Sequence, residues 1–128
     1  MKKGLHHVAL SAVDLNETIH FYETVFGFKE VRRWGDENPI VMMDVGDGTL
    51  IEIFSNGNRA IACDEKWPHL AVAVEDVDST YKAALALGAK SHREPSDICL
   101  PSNPPLPARI AFIYGPSNEL IEMFCEKE

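Results

Sequence analysis

The sequence lacks several features that would assign it to common classes of protein. It has no apolar run close to the roughly 20 residues needed to span a membrane, and the N-terminal Met1-Lys2-Lys3-Gly4 lacks the apolar run of a signal peptide. Its three cysteines are scattered, without a Cys-x-x-Cys pair, which argues against a disulfide framework. We therefore expect a cytoplasmic protein in a reducing compartment.

Positive charge is also scarce, because 12 lysines and arginines stand against 20 aspartates and glutamates and the net charge is −8 at pH 7. A chain this acidic is a poor partner for nucleic acid or for an anionic membrane surface. Its 128 residues suffice for one domain, or for two small halves that share a core. These properties favour a soluble globular protein that binds neither nucleic acid nor a membrane.

An internal repeat is the most informative feature of the sequence. The segment around Glu52 reads Leu-Ile-Glu-Ile-Phe, and the segment around Glu122 reads Leu-Ile-Glu-Met-Phe. Each glutamate is preceded by a histidine that begins another apolar segment, His7 in the first half and His69 in the second. Burying a carboxylate is unfavourable unless a cation pairs with it. Two carboxylates in matching contexts therefore suggest one shared cation.

The first half of the chain has the pattern of one strand, one helix and three further strands. Alternating residues 5–13 predict the first strand. Asp14 with Glu17 predicts a helix N-terminus, and Gly27 predicts the end of that helix. A tight turn at residues 46–48 joins the last two strands as a hairpin.

The second half repeats this order after a polar linker at residues 55–66. Asp76 marks the start of its helix and Gly88 the end. Each half is therefore one βαβββ module, at about residues 4–54 and 67–126. The expected fold class is α+β, with both modules in a single domain that spans the whole chain.

Proline marks the largest difference between the halves. Five of the eight prolines lie at residues 95–107, after a short predicted strand at residues 89–93. A segment so rich in proline can be neither a helix nor a central strand. We expect an irregular loop that forms a lid or a wall of the substrate cleft.

Strand alternation gives a second, independent indication of the site. Successive side chains of a strand point to opposite faces of the sheet. The histidine and the glutamate of each half thus share the face opposite the bulky aliphatic residues, together with Phe54. Met42 and Phe112 lie ten residues before Glu52 and Glu122, across a hairpin, and by the same alternation they line this face. The alternative for both residues is simple core packing.

Two imidazoles and two carboxylates make a mixed nitrogen–oxygen ligand set, namely His7, Glu52, His69 and Glu122. Such a set suits one divalent ion of Zn, Ni, Co, Fe or Mn. A lone histidine in a strand is usually structural or exposed, and a lone glutamate in an apolar strand usually lies at an edge. The matched repeat and the matched alternation together favour the metal site.

These features resemble the vicinal oxygen chelate superfamily, which includes glyoxalase I, methylmalonyl-CoA epimerase, extradiol dioxygenases, and fosfomycin-resistance and bleomycin-resistance proteins. The resemblance covers nearly the whole chain. It is carried by residues 7–10, Asp14-Leu15, Phe21-Tyr22, Phe26-Gly27, Ile51-Glu52, residues 69–72, Asp76-Val77, Gly115-Pro116 and Ile121-Glu122. It implies paired βαβββ modules that form a half-open, barrel-like cup around one divalent metal, with all four ligand positions filled here.

Two histidines with two glutamates resemble the ligand set of glyoxalase I and the epimerases, which implies a lyase or an isomerase. In those relatives two neighbouring substrate oxygens bind the metal, and a glutamate moves a proton through a metal-bound enediolate. Glu122 is the first candidate for this base and Glu52 the second. In glutathione-using glyoxalases, an arginine at the position of Ser11 helps to bind glutathione. Its absence here argues against glutathione as a substrate component. Ser11 itself is expected to contact the substrate.

Two alternatives stay open at this point. An iron dioxygenase of the same superfamily would leave one glutamate off the metal, and a binding or resistance protein would sequester a small molecule. One module supplies only two ligands, so a site needs two modules, from one chain or from two. Because open sheets leave edges that a symmetric partner covers, we expect a homodimer with shared sites, as in the small glyoxalases.

Overall fold

The computed structural model describes residues 6–57, 69–102 and 104–127. The chain divides into two compact units, Met1–Ala60 and Ile61–Glu128, called here the N-terminal and the C-terminal module. Each module has one helix and one open, mixed sheet of four strands, which confirms the α+β fold of two βαβββ modules. Most of the predicted linker, from residue 58 onward, lies outside the described residues, and the grouping of both modules into one domain stays a prediction.

The N-terminal module follows the predicted order of elements. They are β1 (His7–Ser11), α1 (Leu15–Phe26), β2 (Lys29–Trp34), β3 (Ile40–Asp44) and β4 (Leu50–Phe54). The strands lie in the order β1-β4-β3-β2, with β1 and β4 parallel and the other neighbours antiparallel. The parallel pair places the end of the module beside its beginning.

The C-terminal module repeats this topology strand for strand. Its elements are β5 (Leu70–Ala73), α2 (Val77–Ala86), β6 (Lys90–Leu100), β7 (Leu106–Tyr114) and β8 (Leu120–Glu126). The order is β5-β8-β7-β6, again with one parallel pair, β5 with β8. In the described part of the chain, neither helix is long and apolar enough to cross a membrane.

Aspartates begin both helices, as predicted. The carboxylate of Asp14 accepts a hydrogen bond from the backbone N–H of Glu17 at 3.0 Å, and Asp76 accepts one from Ser79 at 3.1 Å. An N-cap of this kind satisfies a donor that the helix itself leaves unpaired. Gly27 ends α1 with a φ of 72°, a conformation that glycine adopts without a steric penalty.

Both final strands have one buried face, as the alternation predicted. In β4, Ile51 is 3% exposed and Ile53 is fully buried, whereas Glu52 between them is partly exposed. In β8, Ile121 and Met123 are fully buried, and Glu122 between them is itself buried, at 8% exposed. Each strand therefore contributes its aliphatic residues to the core and its glutamate to the opposite face of the sheet.

The prediction of an irregular loop at residues 95–107 is wrong. Strand β6 continues through Pro95, and the segment forms an extended hairpin with β7. Proline is tolerated because β6 lies at the edge of the sheet and because its register with β7 is irregular between Arg93 and Ser96. Proline has no backbone N–H to donate, and at such a position its absence removes no regular hydrogen bond between the strands. A role for this hairpin beside a substrate cleft stays a prediction.

Arg109 on β7 joins α2 to β6. Its guanidinium donates to Asp78 at 2.6 and 2.9 Å and to Asp97 at 3.1 Å. These hydrogen bonds hold the pKa of both carboxyls below the ordinary value, and the Lys127 ammonium acts on Asp97 in the same direction. A carboxyl with a lowered pKa stabilises the fold above its unfolded pKa, and that contribution is lost as the pH falls through the folded pKa.

The two faces of β4 differ in what they contribute to stability. We expect Ile53→Ala to lower the free energy of unfolding by about 2–5 kcal/mol, because it leaves a cavity in the core. Leu50→Ala is the matched control on the opposite, partly exposed face of the same strand, and it should cost clearly less. Urea unfolding of both variants measures the difference. Equal losses would contradict the assignment of the two faces.

The Arg109 contacts give a pH-dependent prediction. Arg109→Gln should lower the stability at neutral pH, and its difference from the wild type should shrink as the pH falls below the ordinary aspartate pKa of 3.8. Arg32→Gln is the control, because it removes the same charge from an exposed position on β2, and it should give no such pH-dependent difference. Thermal unfolding across this pH range tests both. A difference that stays constant down to low pH would show that the ion pairs carry no stability.

Candidate metal centre

The histidine and the glutamate of the N-terminal module lie side by side. In the parallel pairing of β1 with β4, Ala9 lies opposite Glu52, and His7 is two residues from Ala9 on the same face. The Nε2 atom of His7 is 3.5 Å from a carboxylate oxygen of Glu52. The Glu52 side chain is 14% exposed and the His7 side chain 38%, so the imidazole shields the carboxylate while remaining accessible.

His6 contacts His7 through the other ring nitrogen, which the sequence did not predict. The two Nδ1 atoms are 2.9 Å apart, so one imidazole N–H donates to the other ring. His6 lies just before β1, and its backbone carbonyl accepts a hydrogen bond from the N–H of Leu50 on β4 at 3.0 Å. Histidines that bind metals commonly use the second ring nitrogen in a hydrogen bond. This contact holds the ring with Nε2 towards Glu52.

The C-terminal module contains the equivalent pair. Ala71 of β5 lies opposite Glu122 of β8, and His69 directly precedes β5. The Nε2 atom of His69 is 3.0 Å from a carboxylate oxygen of Glu122, whose side chain is 10% exposed. Both modules therefore place one imidazole nitrogen next to one carboxylate oxygen on the face opposite the aliphatic core.

Two predicted lining residues take their expected places. Met42 pairs with Glu52 in the register of β3 and β4, and Phe112 pairs with Glu122 in the register of β7 and β8. Directly opposed residues of neighbouring strands share one face. The Phe112 ring also meets the His69 ring edge to face, with 5.3 Å between centroids. Phe112 thus forms an apolar wall beside the second pair.

Ser11 and Phe54 lie opposite each other where β1 and β4 end. Both are on the face of the first pair, and Ser11 is exposed while Phe54 is partly exposed. The backbone N–H of Gly57 donates to the carbonyl of Ala12 at 2.9 Å. A Cβ at Gly57 would lie 2.3 Å from the Ser11 carbonyl oxygen, so only glycine fits this close approach. Substrate contact by Ser11 and Phe54 stays a prediction.

A second polar pair on the C-terminal sheet was not predicted. The Tyr114 hydroxyl is 2.9 Å from Nδ1 of His92. The His92 ring also meets the Phe112 ring, with 6.0 Å between centroids and nearly perpendicular planes. His92 lies at a break in the β6–β7 register, between the paired residues Ser91 and Arg93. Sequence alternation cannot reveal such a bulge, so it gave no orientation for this imidazole.

The donor atoms of the two pairs suit a divalent metal of the first transition row. Within each module, the described residues hold no third His, Cys, Asp or Glu that completes a cluster with the pair. Each module therefore supplies two of the four expected ligands. The meeting of both pairs on one ion stays a prediction.

Curated relatives match almost the full length of the chain. The protein YwbC of Bacillus subtilis is 29% identical over 97% of this chain and 98% of its own length. A protein named probable lactoylglutathione lyase from Vibrio cholerae is also 29% identical, over 95% of this chain and 90% of its own length.

Solved structures of similar fold include two kinds of protein. The fosfomycin resistance protein FosX of Listeria monocytogenes, in complex with Mn(II) and sulfate, gives a TM-score of 0.75 at 22% identity over 99% of this chain and 95% of that one. A glyoxalase I mutant of Zea mays gives 0.71 at 21% identity, over 94% of this chain and 43% of that one. At this identity the likeness shows the fold alone.

The family assignment comes from the sequence of nearly the whole chain. Residues 4–123 match the glyoxalase/bleomycin resistance protein/dioxygenase superfamily. The matched segment runs from before β1 into β8 and contains all four residues of the two His–Glu pairs. The chain therefore belongs to the glyoxalase/bleomycin resistance protein/dioxygenase superfamily.

Proposed function

We propose that this protein is a divalent-metal-dependent lyase or isomerase similar to glyoxalase I. It acts by proton transfer next to a carbonyl of a small substrate that offers two neighbouring oxygens. The observation that carries the proposal is the matched pair of His–Glu contacts, at 3.5 Å in one module and 3.0 Å in the other. The relatives named probable lactoylglutathione lyase agree with this class of reaction.

The ligands in this proposal are His7, Glu52, His69 and Glu122. When bound, a divalent ion acts as a Lewis acid that polarises the substrate carbonyl and acidifies the adjacent C–H. The ion is Ni, Zn, Co, Mn or Fe, because imidazole with carboxylate accommodates each of them. The His6 contact keeps Nε2 of His7 directed towards this site.

Glu122 is the proposed proton carrier. Its side chain is the more shielded of the two glutamates, at 10% against 14% exposed for Glu52. Phe112 lies directly opposite it in the sheet and limits the access of water from that side. A carboxylate in such a position can take a proton from carbon at one oxygen and return it to the neighbouring carbon. Glu52, opposite the smaller and more flexible Met42, is the second candidate.

The substrate in this proposal carries no glutathione. Ser11 occupies the position at which glutathione-dependent relatives place an arginine, and its hydroxyl offers no positive charge. In this proposal Ser11, Phe54 and Met42 line the first pair and Phe112 lines the second, so the substrate meets polar and apolar side chains. Such a lining fits a small molecule with two adjacent oxygens.

The proposed assembly is a homodimer whose metal sites take ligands from both chains. One module contains only half of the ligand set, so every site needs a second module. The sheet orders also leave β1 and β2 at the edges of one sheet and β5 and β6 at the edges of the other. Edges of this kind are commonly covered by a symmetric partner.

Substitution of the ligands tests the proposed reaction. Glu122→Gln and Glu52→Gln should each lower kcat by about 100-fold or more, since general-base catalysis contributes that much. His69→Ala and His7→Ala should in addition lower the metal content of protein purified without chelator. The substrates to assay are hemithioacetals of several thiols and epimers of sugars and acyl-CoA.

Matched controls are available on α1, where His20 and Glu23 are both exposed. His20→Ala and Glu23→Gln should leave the activity and the metal content unchanged. Full metal occupancy in both His7→Ala and His69→Ala would refute the metal site. Turnover that requires oxygen, in parallel aerobic and anaerobic assays, would instead identify the dioxygenase alternative.

Complementation tests the shared site. Chains with His7→Ala and Glu52→Gln are unfolded and refolded together with chains that carry His69→Ala and Glu122→Gln. In a heterodimer with shared sites, one of the two sites regains all four ligands, so about half of the wild-type activity per heterodimer should return. If every site lies within one chain, all sites stay damaged. A verified heterodimer that remains inactive would rule out the shared arrangement.

A further inference from the structure

The same bulge occurs in both modules and carries different side chains. In the N-terminal sheet, the register of β2 and β3 shifts between Glu30 and Arg32, which leaves Val31 without an opposite residue. In the C-terminal sheet, the register of β6 and β7 shifts between Ser91 and Arg93, which leaves His92 in the equivalent position. Bulges commonly redirect a side chain next to a functional site.

A second difference lies across the hairpin, at the residue that pairs with the strand two positions before the bulge. Asp44 pairs with Leu50 in one sheet, and Tyr114 pairs with Leu120 in the other, so these two positions are equivalent. The Asp44 carboxylate accepts hydrogen bonds from backbone N–H groups of its own turn, including that of Gly46 at 2.7 Å. The C-terminal sheet has a phenol at this position, directed towards the bulge. Of the two bulges, only the one in the C-terminal sheet therefore combines an imidazole with a hydroxyl.

Whichever ring nitrogen of neutral His92 carries the proton, the pair of His92 and Tyr114 keeps one hydrogen-bond donor free for a ligand. A neutral His92 has one N–H and Tyr114 has one O–H, and the 2.9 Å contact between them uses only one of these two donors. If the hydroxyl donates to Nδ1, the Nε2–H remains. If Nδ1–H donates to the phenol oxygen, the hydroxyl hydrogen remains. His92 is exposed and Tyr114 partly exposed, so a ligand can reach this donor.

Two cations flank the imidazole and the phenol in the sheet. Lys90 pairs with Tyr114, and Arg93 pairs with Phe112, on the strand that carries His92. Both are exposed. In a chain with a net charge of −8, this local positive charge favours an anion over a neutral group. The Asp44 carboxylate at the equivalent place of the N-terminal sheet would repel the same anion.

One aromatic ring connects this pair with the metal ligands of the same module. The Phe112 ring lies against His69 on one side and against His92 on the other, at 5.3 and 6.0 Å between centroids. A ligand that extends along the Phe112 ring from the Glu122 side would reach His92 and Tyr114. Its middle would contact an apolar surface and its far end a hydrogen-bond donor.

We propose that His92 and Tyr114 form a subsite that binds an oxyanion at the far end of the substrate. The substrate class is then a small molecule with two neighbouring oxygens at one end and a carboxylate or a phosphonate at the other. This proposal rests on the proposed function, because it assigns the second end of the same substrate. Val31 and Asp44 give the N-terminal sheet no such subsite.

Matched probe ligands test the subsite. In 2-oxoglutarate and 2-oxopentanoate the chelating ends are identical, and they differ only in a distal carboxylate against a methyl group. We expect Mn(II)-loaded wild-type protein to bind 2-oxoglutarate about 10-fold tighter in calorimetry, since a hydrogen bond to a charged group contributes that much. The pair 2-oxoadipate and 2-oxohexanoate covers a span longer by one carbon. The analogue 2-oxo-4-phosphonobutanoate distinguishes a phosphonate from a carboxylate.

Two variants make the test specific. The double variant His92→Phe/Tyr114→Phe keeps an aromatic ring at both positions but removes both donors, so the preference for the charged probes should fall below about twofold. Binding of 2-oxopentanoate and of Mn(II) should not change. Val31→Ala, at the equivalent bulge, should leave the preference as in the wild type. If the double variant lowers only the stability in urea and retains the preference, the contact is structural and the proposal fails.

The proposal and the proposed function fail in distinguishable ways. Mn(II) binding is measured first, and its absence would count against the metal-dependent function alone. The same probes are then titrated into metal-free protein while the His92 ring signals are followed by NMR. A shift with 2-oxoglutarate but not with 2-oxopentanoate would support the subsite without any metal. No preference at either chain length, with or without Mn(II), would overturn it.

Discussion

The structure depends on the alternation of side chains along β4 and its counterpart β8. Ile51 and Ile53 pack into the core, and this packing forces Glu52 between them to the other face. A slip of one residue would place a carboxylate in the core and two isoleucines outside it, at a cost of several kcal/mol. The hydrophobic core thus sets the register of the candidate site, and His7 reaches Glu52 only because β1 follows that register.

Much of the fold could be predicted because its signals are local or repeated. The capping aspartates Asp14 and Asp76 each act within one helical turn, so three residues of sequence suffice to recognise them. The placement of Met42 opposite Glu52 follows from the length of one short hairpin. The repeat then supplies the topology, because a module seen twice must fold the same way twice.

The features that could not be predicted depend on tertiary context. Pro95 suggested a loop, but an edge strand with an irregular register accepts it. The contact of His6 with His7 depends on the orientations of two neighbouring rings, which the sequence does not give. His92 lies in a bulge, and a single extra residue in one strand changes the face on which it appears. In each case the sequence gives the type of residue but not the residues that surround it in the fold.

The two bulges also bear on how such a chain diversifies over evolution. An internally duplicated protein begins with two copies of each position, and a requirement that falls on both copies prevents either from changing. The bulge is a property of the backbone, and it accepts valine in one copy and histidine in the other. One copy can therefore acquire new recognition chemistry through single substitutions, while the cores and the His–Glu contacts of both copies are retained. A scaffold of this kind separates the residues that vary with substrate from those that maintain the reaction.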